Sequence, residues 1–319
     1  MKMLVLGSTG FMGRNITEFF SEKENYKVYG TSFKSLGFPK NVQVYTVNLT
    51  KNEHVNELFK SIKPDIVIQA AAVTSGSKDI VERPYIHVTD NVIMNSLILQ
   101  ACYDYSVRHF VFLSCGVMYQ PGEEPRKESD FNANDEIHKN YFGVGWTKVY
   151  VEKMCEFYSR LGKTKHTVIR HSNCYGPYDK YDLEKSHMFG ATIRKVMDAK
   201  DGDEIEVWGN GEETKRDLIY VEDVVQFIDI VLTKQDKMFD IYNVGLGRAF
   251  SVKEVVEEII KQSGKKLKIR YNSSKPIIST SLTLDCSKAW NLGFRTRTTF
   301  KDGVARTLDW YKKYYNSTK

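Results

Sequence analysis

The first fourteen residues constrain this chain more than any other stretch. Residues 2–6 (KMLVL) read as a short β-strand. Gly7-Ser8-Thr9-Gly10-Phe11-Met12-Gly13 follows at once, and Ile16, Phe19 and Phe20 then recur with the spacing of an amphipathic helix. A strand, a GxxGxxG loop and a helix in that order make a cradle for a diphosphate. The glycines allow a tight turn, a close approach of backbone to the ligand and close packing of helix on strand, and the helix N-terminus supplies unpaired N–H groups and a positive dipole end. Gly7, Thr9, Gly10, Phe11, Met12, Gly13 and Arg14 are therefore the expected cofactor-loop residues.

The loop sets a rhythm that the next 160 residues keep. Further strands read at residues 27–31, 43–47, 66–69, 110–113 and 167–170, with helical patterns at 12–22, 53–61, 88–106 and 147–161. Alternating strands and helices of these lengths imply an α/β protein built on a doubly wound parallel Rossmann sheet. Beyond residue 172 turn-rich stretches at 175–185, 208–213 and 272–276 break the rhythm, which points to a smaller α/β substrate domain interleaved with the first. The expected division is residues 1–172 with a return segment at about 217–245, against 173–216 and 246–319. A length of 319 residues suits two domains at ~150 residues each.

Composition narrows the partners. With 41% hydrophobic and 13% aromatic residues the chain is globular, and its net charge of +6 is spread along the sequence. The one basic run, residues 261–270, lacks interleaved aromatics and reads as a solvated face, so nucleic acid is not an expected partner. No apolar run approaches the ~18 residues of a membrane span. Cys102, Cys115, Cys155, Cys174 and Cys286 are scattered and odd in number. They suit a reducing compartment, without disulfides or a structural metal, and the expectation is a soluble cytoplasmic protein.

The second strand speaks to the cofactor. A free ribose 2′-hydroxyl is commonly held by a carboxylate about 20 residues beyond the glycine loop. Residues 28–40 contain no Asp or Glu but do contain Ser32, Lys34 and Ser35, and Arg14 opens the first helix. Hydroxyls and cations there suit a 2′-phosphate, so NADP is expected, with NAD as the alternative. Asn48 and Leu49 after the third strand, and Ala70-Ala71-Ala72 after the fourth, complete the expected cofactor contacts.

Together with Asn91, Asn95 and Tyr119, these features resemble the extended short-chain dehydrogenase/reductases (the NAD-dependent epimerase/dehydratase family) that act on nucleotide sugars. Residues 172–179 (SNCYGPYD), 182–187 (DLEKSH), 207–211 (VWGNG) and 215–223 (KRDLIYVED) are similar in order and spacing to the GDP-L-fucose synthase branch. The resemblance spans nearly the whole chain. It implies an epimerase/reductase of a GDP-linked 4-keto sugar working as a homodimer. It also implies that Asn173 lies at the nicotinamide end, that Arg194, Lys195, Trp208 and Arg216 lie near the sugar diphosphate, and that His187 is a general acid.

Two departures stand out. Chemistry in the family rests on a Ser or Thr after the fifth strand and on a Tyr one helical turn before a Lys. Lys148 is in place, but Val144 stands where the tyrosine is expected, and the nearest phenol is Tyr141, seven positions before the lysine. Seven residues of helix rise ~10.5 Å. Either Gly143 and Gly145 distort the start of the helix enough to bring Tyr141 to Lys148, or the proton shuttle is altered. Counting back from Tyr119, the hydroxyl position holds Cys115, with Ser114 one residue earlier, and the cysteine that resembles the branch's epimerisation base falls at Val117. Cys115 can fill either role, since a neighbouring cation favours thiolate chemistry. The competing readings are a UDP- or dTDP-hexose 4-epimerase with tightly bound NAD, and a non-catalytic nucleotide-sugar-binding subunit that lost its shuttle.

Overall fold

The computed structural model describes residues 1–34, 41–74, 76–275, 277 and 280–315; Ser35 lies outside them. In chain order the strands are β1 (Lys2–Leu6), β2 (Lys27–Ser32), β3 (Gln43–Thr46), β4 (Ile66–Gln69), β5 (His109–Cys115), β6 (Lys165–His171), β7 (Asn173–Tyr175), β8 (Glu204–Trp208), β9 (Lys215–Tyr220), β10 (Phe239–Val244), β11 (Ala249–Ser251), β12 (Lys268–Asn272) and β13 (Ser281–Leu282). The helices are α1 (Phe11–Ser21), α2 (Asn52–Ile62), α3 (Ser77–Glu82), α4 (Thr89–Asp104), α5 (Phe142–Arg160), α6 (Met188–Asp198), α7 (Val221–Lys234), α8 (Val252–Ser263), α9 (Ser287–Asn291) and α10 (Phe300–Trp310).

Seven strands form one parallel sheet in the order β10-β6-β5-β4-β1-β2-β3. Alternate residues of a strand face opposite sides, so a sheet covered on both faces is apolar at every position. Met3 and Val5 pack against Ile16 and Phe20 of α1 and Phe227 and Ile228 of α7. Leu4 and Leu6 pack against Phe59 of α2, Ile98 and Leu99 of α4, and Val151 and Cys155 of α5. The expected doubly wound sheet is thus present, with β10 as a seventh strand that the apolar pattern did not mark. Its sequence FDIYNV alternates with polar residues that have structural partners: Asp240 binds Lys288, and Asn243 accepts a 2.8 Å hydrogen bond from the Tyr119 hydroxyl.

A second layer covers the C-terminal ends of the sheet. Here β9 pairs with β7, β11 and β13, while β8 pairs with β12, over a core of Tyr175, Phe189, Ile193, Phe250, Val256, Phe300 and Val304.

Helix α5 begins at Phe142, five residues before the predicted start. Gly143 and Gly145 do not disturb it. A Cβ at Gly143 would lie 3.0 Å from Val88, and one at Gly145 3.0 Å from Ile137, so the glycines let the helix seat against its neighbours. The distortion that would have carried Tyr141 to Lys148 is absent, and Tyr141 is the residue preceding the first turn.

His166 on β6 is fully buried against Phe110, and neither ring nitrogen has a partner. Burial pushes its pKa down to about 4 from the ordinary 6.5. The unfolded chain therefore binds a proton below about 6.5 that the folded protein refuses until about 4, so this residue makes stability fall as the pH drops through that window. His166→Phe removes the penalty. Relative to the parent, the variant is expected to gain about 2 kcal/mol more at pH 5 than at pH 7.5, read from urea unfolding at both pH values. An equal difference at the two pH values would refute this.

Candidate active site

The glycine loop has the geometry its pattern implies. Gly7 adopts φ +75°, and a Cβ there would sit 2.7 Å from the Ala71 backbone; a Cβ at Gly13 would sit 2.1 Å from the Gly7 carbonyl oxygen. Threonine 31 holds the turn from β2, its hydroxyl accepting from the Gly7 N–H at 2.9 Å and its carbonyl from the Ser8 N–H at 2.9 Å. Helix α1 starts at Gly10 with no side-chain cap and no acidic residue in its first turn. Its open N-terminus, with Gly10, Phe11 and Met12, faces the main cleft, as do Ala70, Ala71 and Ala72. Uncapped N–H groups and a cradle that any Cβ would fill fit the diphosphate of a dinucleotide.

The residues expected around the adenosine end lie outside this cleft. Thr9 donates to Ser32 at 3.4 Å, and exposed Lys34 lies over the Phe33 ring. Arg14 is engaged by Glu18 at 2.6 Å and by the face of Tyr178. Asn48 turns its side-chain oxygen back onto Thr50, and Leu49 is buried in the sheet's second face.

The cleft, of about 560 Å³, opens between the C-terminal ends of the sheet and the second layer. Lys148 on α5 donates to the Leu113 carbonyl at 2.9 Å and lies over the Phe112 ring. Burial pushes its ammonium below the ordinary value, with Cys115 and Glu152 pulling the other way. One turn further along α5, Glu152 forms a fully buried ion pair with Arg170 of β6 at 2.6 Å. Ser114 donates to that same carboxylate at 2.6 Å and is sealed from solvent. The Ser114 hydroxyl is thus committed to Glu152 at the cleft wall, while the next residue, Cys115, is partly exposed there.

Val144 lines the cleft one turn before Lys148, and Tyr141 lines it two turns before. The partner of Tyr141 is not the lysine but Arg216 of β9, whose guanidinium hydrogen-bonds the phenol. Burial raises the phenol's pKa above its ordinary value against the pull of Arg216, so Tyr141 is protonated at neutral pH. Burial also lowers Arg216, which is anchored by donation to the Thr280 carbonyl at 2.6 Å. Cys115 is within electrostatic reach of both Tyr141 and Lys148.

At the other end, His187 caps α6 and opens into the cleft. The residue is itself exposed, but the protein crowded around it, together with Lys180, His87 and Arg216, pushes its pKa down to about 4. It is therefore neutral at pH 7, a form in which the imidazole can accept a proton. Lys195 donates to the Glu206 carbonyl at 2.8 Å beside Trp208, and Asn173 donates to the Asp217 carbonyl at 3.2 Å; all three line the cleft. Arg194 does not. One residue of helix turns a side chain about 100° from its neighbour, and Arg194 is held by Asp198 and by the Tyr315 hydroxyl at 3.2 Å.

Among the cleft residues that were not anticipated are His171, Asp179 and His87. His171 ends β6, where ligands gather in such sheets, with its pKa pushed down to about 4 by burial. That strand-end position was the available signal. Asp179, the last residue of the 172–179 stretch, has its carboxyl raised to about 7 by burial, and His87 reaches the wall from the 3₁₀ turn Pro84–His87, which no local pattern marks. Among the described residues no group of three or more His, Cys, Asp or Glu could hold a metal ion.

The chain is 27% identical to GDP-L-colitose synthase of Yersinia pseudotuberculosis over 320 residues, covering 99% of this chain and 100% of the relative. It is 25% identical to GDP-L-fucose synthase of Escherichia coli K12 over 276 residues, covering 83% and 85% of the two chains. Among solved structures it superimposes on UDP-glucose 4-epimerase of Thermotoga maritima with TM-score 0.86 at 24% identity, covering 99% and 100%. It superimposes on a GDP-D-glycero-L-gluco-heptose synthase of Campylobacter jejuni, solved in the presence of NADPH, with TM-score 0.82 at 21% identity, covering 98% of each chain. The family model described as NAD dependent epimerase/dehydratase matches residues 3–245, and the chain belongs to that family.

Proposed function

We propose that the chain is an NADP-dependent epimerase/reductase of a 4-keto nucleotide sugar, with GDP as the carrier. The reading rests on one observation: the uncapped N-terminus of α1, Lys148, Cys115, the Tyr141–Arg216 pair and His187 all face a single cleft. The GDP-sugar names of several relatives that match nearly the whole chain support the carrier.

Gly7, Gly10 and Gly13 would hold the dinucleotide diphosphate, Ala70 to Ala72 and Asn173 its nicotinamide half, and Lys34 and Ser32 the 2′-phosphate. When bound there, the nicotinamide supplies or accepts a hydride. Arg216, Lys195 and Trp208 bind the sugar diphosphate, two cations being sufficient to match a dianion. Tyr141, protonated and oriented by Arg216, gives its proton to the carbonyl oxygen as the carbinol forms. Neutral His187 accepts a proton from the carbon beside the carbonyl, the step an epimerisation requires. Lys148 fixes the β5 strand end next to Cys115 and contributes positive charge at the developing oxyanion. We place the enzyme in the cytoplasm as a homodimer, in which a second copy would cover the exposed Ile93 of α4 and Tyr150 and Phe157 of α5. Val144, in place of the expected tyrosine, favours the second reading of a binding subunit without turnover.

Three measurements test the proposal. Titration with NADPH and NADH is expected to give the tighter constant for NADPH; equal or tighter NADH would remove the 2′-phosphate assignment and favour a 4-epimerase with resident NAD. In a melting scan, GDP-sugars are expected to stabilise the protein more than UDP- or dTDP-sugars. A ligand at ~100 times its dissociation constant contributes about 2.7 kcal/mol, and a shift with UDP-glucose alone would sink the GDP assignment. Tyr141→Phe is expected to lower turnover by ~10²- to 10⁴-fold with cofactor affinity unchanged. Turnover within about threefold of the parent would instead leave the proton to Cys115 or His187.

A further inference from the structure

His171 closes β6 and lines the cleft, partly exposed. Its Nδ1 lies 2.7 Å from the Ser172 carbonyl oxygen, and a carbonyl only accepts, so Nδ1 carries the hydrogen and Nε2 presents a lone pair. Ser172 is itself held by the sheet, its N–H donating to the Val244 carbonyl of β10 at 2.9 Å, and the Cys174 sulfur lies 3.4 Å from the same ring nitrogen. Nε2 bonds to no described residue and, unlike the Nε2 of His87, is not sealed from solvent. Strand β6 lies between β5 and β10 with the second layer over its end, so the space open to this nitrogen is the cleft.

The order of the strand ends indicates what passes there. From the glycine loop on β1 the neighbours run β4, β5, β6. Ala70 to Ala72 follow β4, and Cys115 ends β5 as the register partner of His171. Strands stand about 4.8 Å apart, which puts the end of β6 about 14 Å from that of β1. A dinucleotide with its diphosphate at the N-terminus of α1 lays one half toward β2 and the nicotinamide half along this row. The side chains assigned to the sugar diphosphate come from the facing wall instead, Lys195 from α6, Trp208 from β8 and Arg216 from β9. The charge of His171 suits the row. Burial, helped by Lys148 and His187, lowers its pKa to about 4 and keeps the ring neutral. An uncharged acceptor tolerates a nicotinamide that is positive when oxidised, whereas an imidazolium would repel it.

We propose that His171 Nε2 accepts a hydrogen bond from the carboxamide N–H of the nicotinamide and thereby fixes the rotation of that ring, a positioning role. This rests on the dinucleotide reading of the cleft. The carboxamide carries the one N–H donor of the nicotinamide, and the rotation it sets decides which face of the ring meets the sugar. A site built to bond an N–H rejects an analogue that lacks it, because its own polar group is then left bare.

Titration of the intact protein by fluorescence and calorimetry tests this with three probes: NADPH, its 3-acetylpyridine analogue, in which a methyl replaces the carboxamide NH₂, and 2′-phospho-ADP-ribose, which lacks the nicotinamide. If NADH binds more tightly than NADPH, the matching probes without the 2′-phosphate are used. The parent is expected to prefer NADPH over the analogue about tenfold. His171→Phe keeps a ring but no acceptor, and is expected to weaken NADPH about tenfold while the analogue and 2′-phospho-ADP-ribose are unaffected, so that the preference falls to about one. His171→Gln places an amide oxygen near the Nε2 position and is expected to recover most of the loss. His171→Asn keeps a donor facing Ser172 but ends short of Nε2, and is expected to behave like His171→Phe. If His171→Phe does not fold, the contrast between Asn and Gln carries the test. Equal binding of NADPH and analogue by the parent, a preference that survives in His171→Phe, or an equal loss for 2′-phospho-ADP-ribose would overturn the proposal. A loss confined to GDP-mannose or UDP-glucose, with NADPH unchanged, would overturn it too, by giving Nε2 to the sugar. A parent protein that binds neither NADPH nor NADH would overturn the dinucleotide reading itself, a failure visible before any variant is made.

Discussion

The buried ion pair between Glu152 and Arg170 fixes the register of everything around the cleft. Both side chains are 3% exposed, and such a pair persists only when its remaining hydrogen-bonding capacity is met. Here it is met. Ser114 donates to Glu152, Arg170 donates to the Tyr119 hydroxyl at 2.7 Å, and Tyr119 donates to Asn243 at 2.8 Å. The network joins α5, β5, β6 and β10 in one polar knot within an otherwise apolar interior. Because Lys148 sits one turn before Glu152 on the same helical face, locking the carboxylate also aims the ammonium at the Leu113 carbonyl. Beside the locked Ser114 hydroxyl, Cys115 is the partly exposed residue of this strand end at the cleft.

The electrostatics of the cleft follow from burial more than from pairing. Desolvation is the leading influence on Lys148, Arg216, Tyr141 and His187 alike, lowering the cations and imidazole and raising the phenol. Each group is moved toward its neutral form. An enclosed site with several cations around it rewards an incoming dianion, which returns to Arg216 and Lys195 the counter-charge that burial removed. A protonated phenol and a neutral imidazole are then an acid and a base available at the same pH.

Much of this was legible in the sequence, for local reasons. The glycine loop announces itself because turn, close approach and helix start are contiguous, and the central strands do so because burial on both faces makes them apolar throughout. Features decided by packing between distant segments were not legible. Gly143 and Gly145 read as a break, yet they seat α5 against Val88 and Ile137, and nothing local distinguishes the two uses. Strand β10 hides behind Asp240 and Asn243, whose partners lie far away in the chain. Arg194 and Lys195 are adjacent cations, and only the helix's orientation decides that the second faces the cleft.

The two layers of the molecule meet at the chemistry itself. Lys180 donates to the Thr74 carbonyl at 2.8 Å, Asn15 to the Pro177 carbonyl at 2.9 Å, and Gly76 lies so close to the Ser186 carbonyl that a Cβ would come within 2.6 Å of it. These contacts hold the 176–187 segment against α1 and the 74–76 loop. Tyr141 precedes α5, which packs on the seven-stranded sheet, whereas the Arg216 that hydrogen-bonds it belongs to β9 of the second layer. In the proposed reaction the same guanidinium must also attract a sugar diphosphate. Binding and proton delivery then share one cation: a substrate seated so that Arg216 serves phosphate and phenol together aligns the acid, and one that draws the guanidinium away leaves the phenol unoriented. In the family's usual arrangement the tyrosine is oriented by a lysine on its own helix. Moving that task to Arg216 makes the acid's position depend on the docking of the substrate layer.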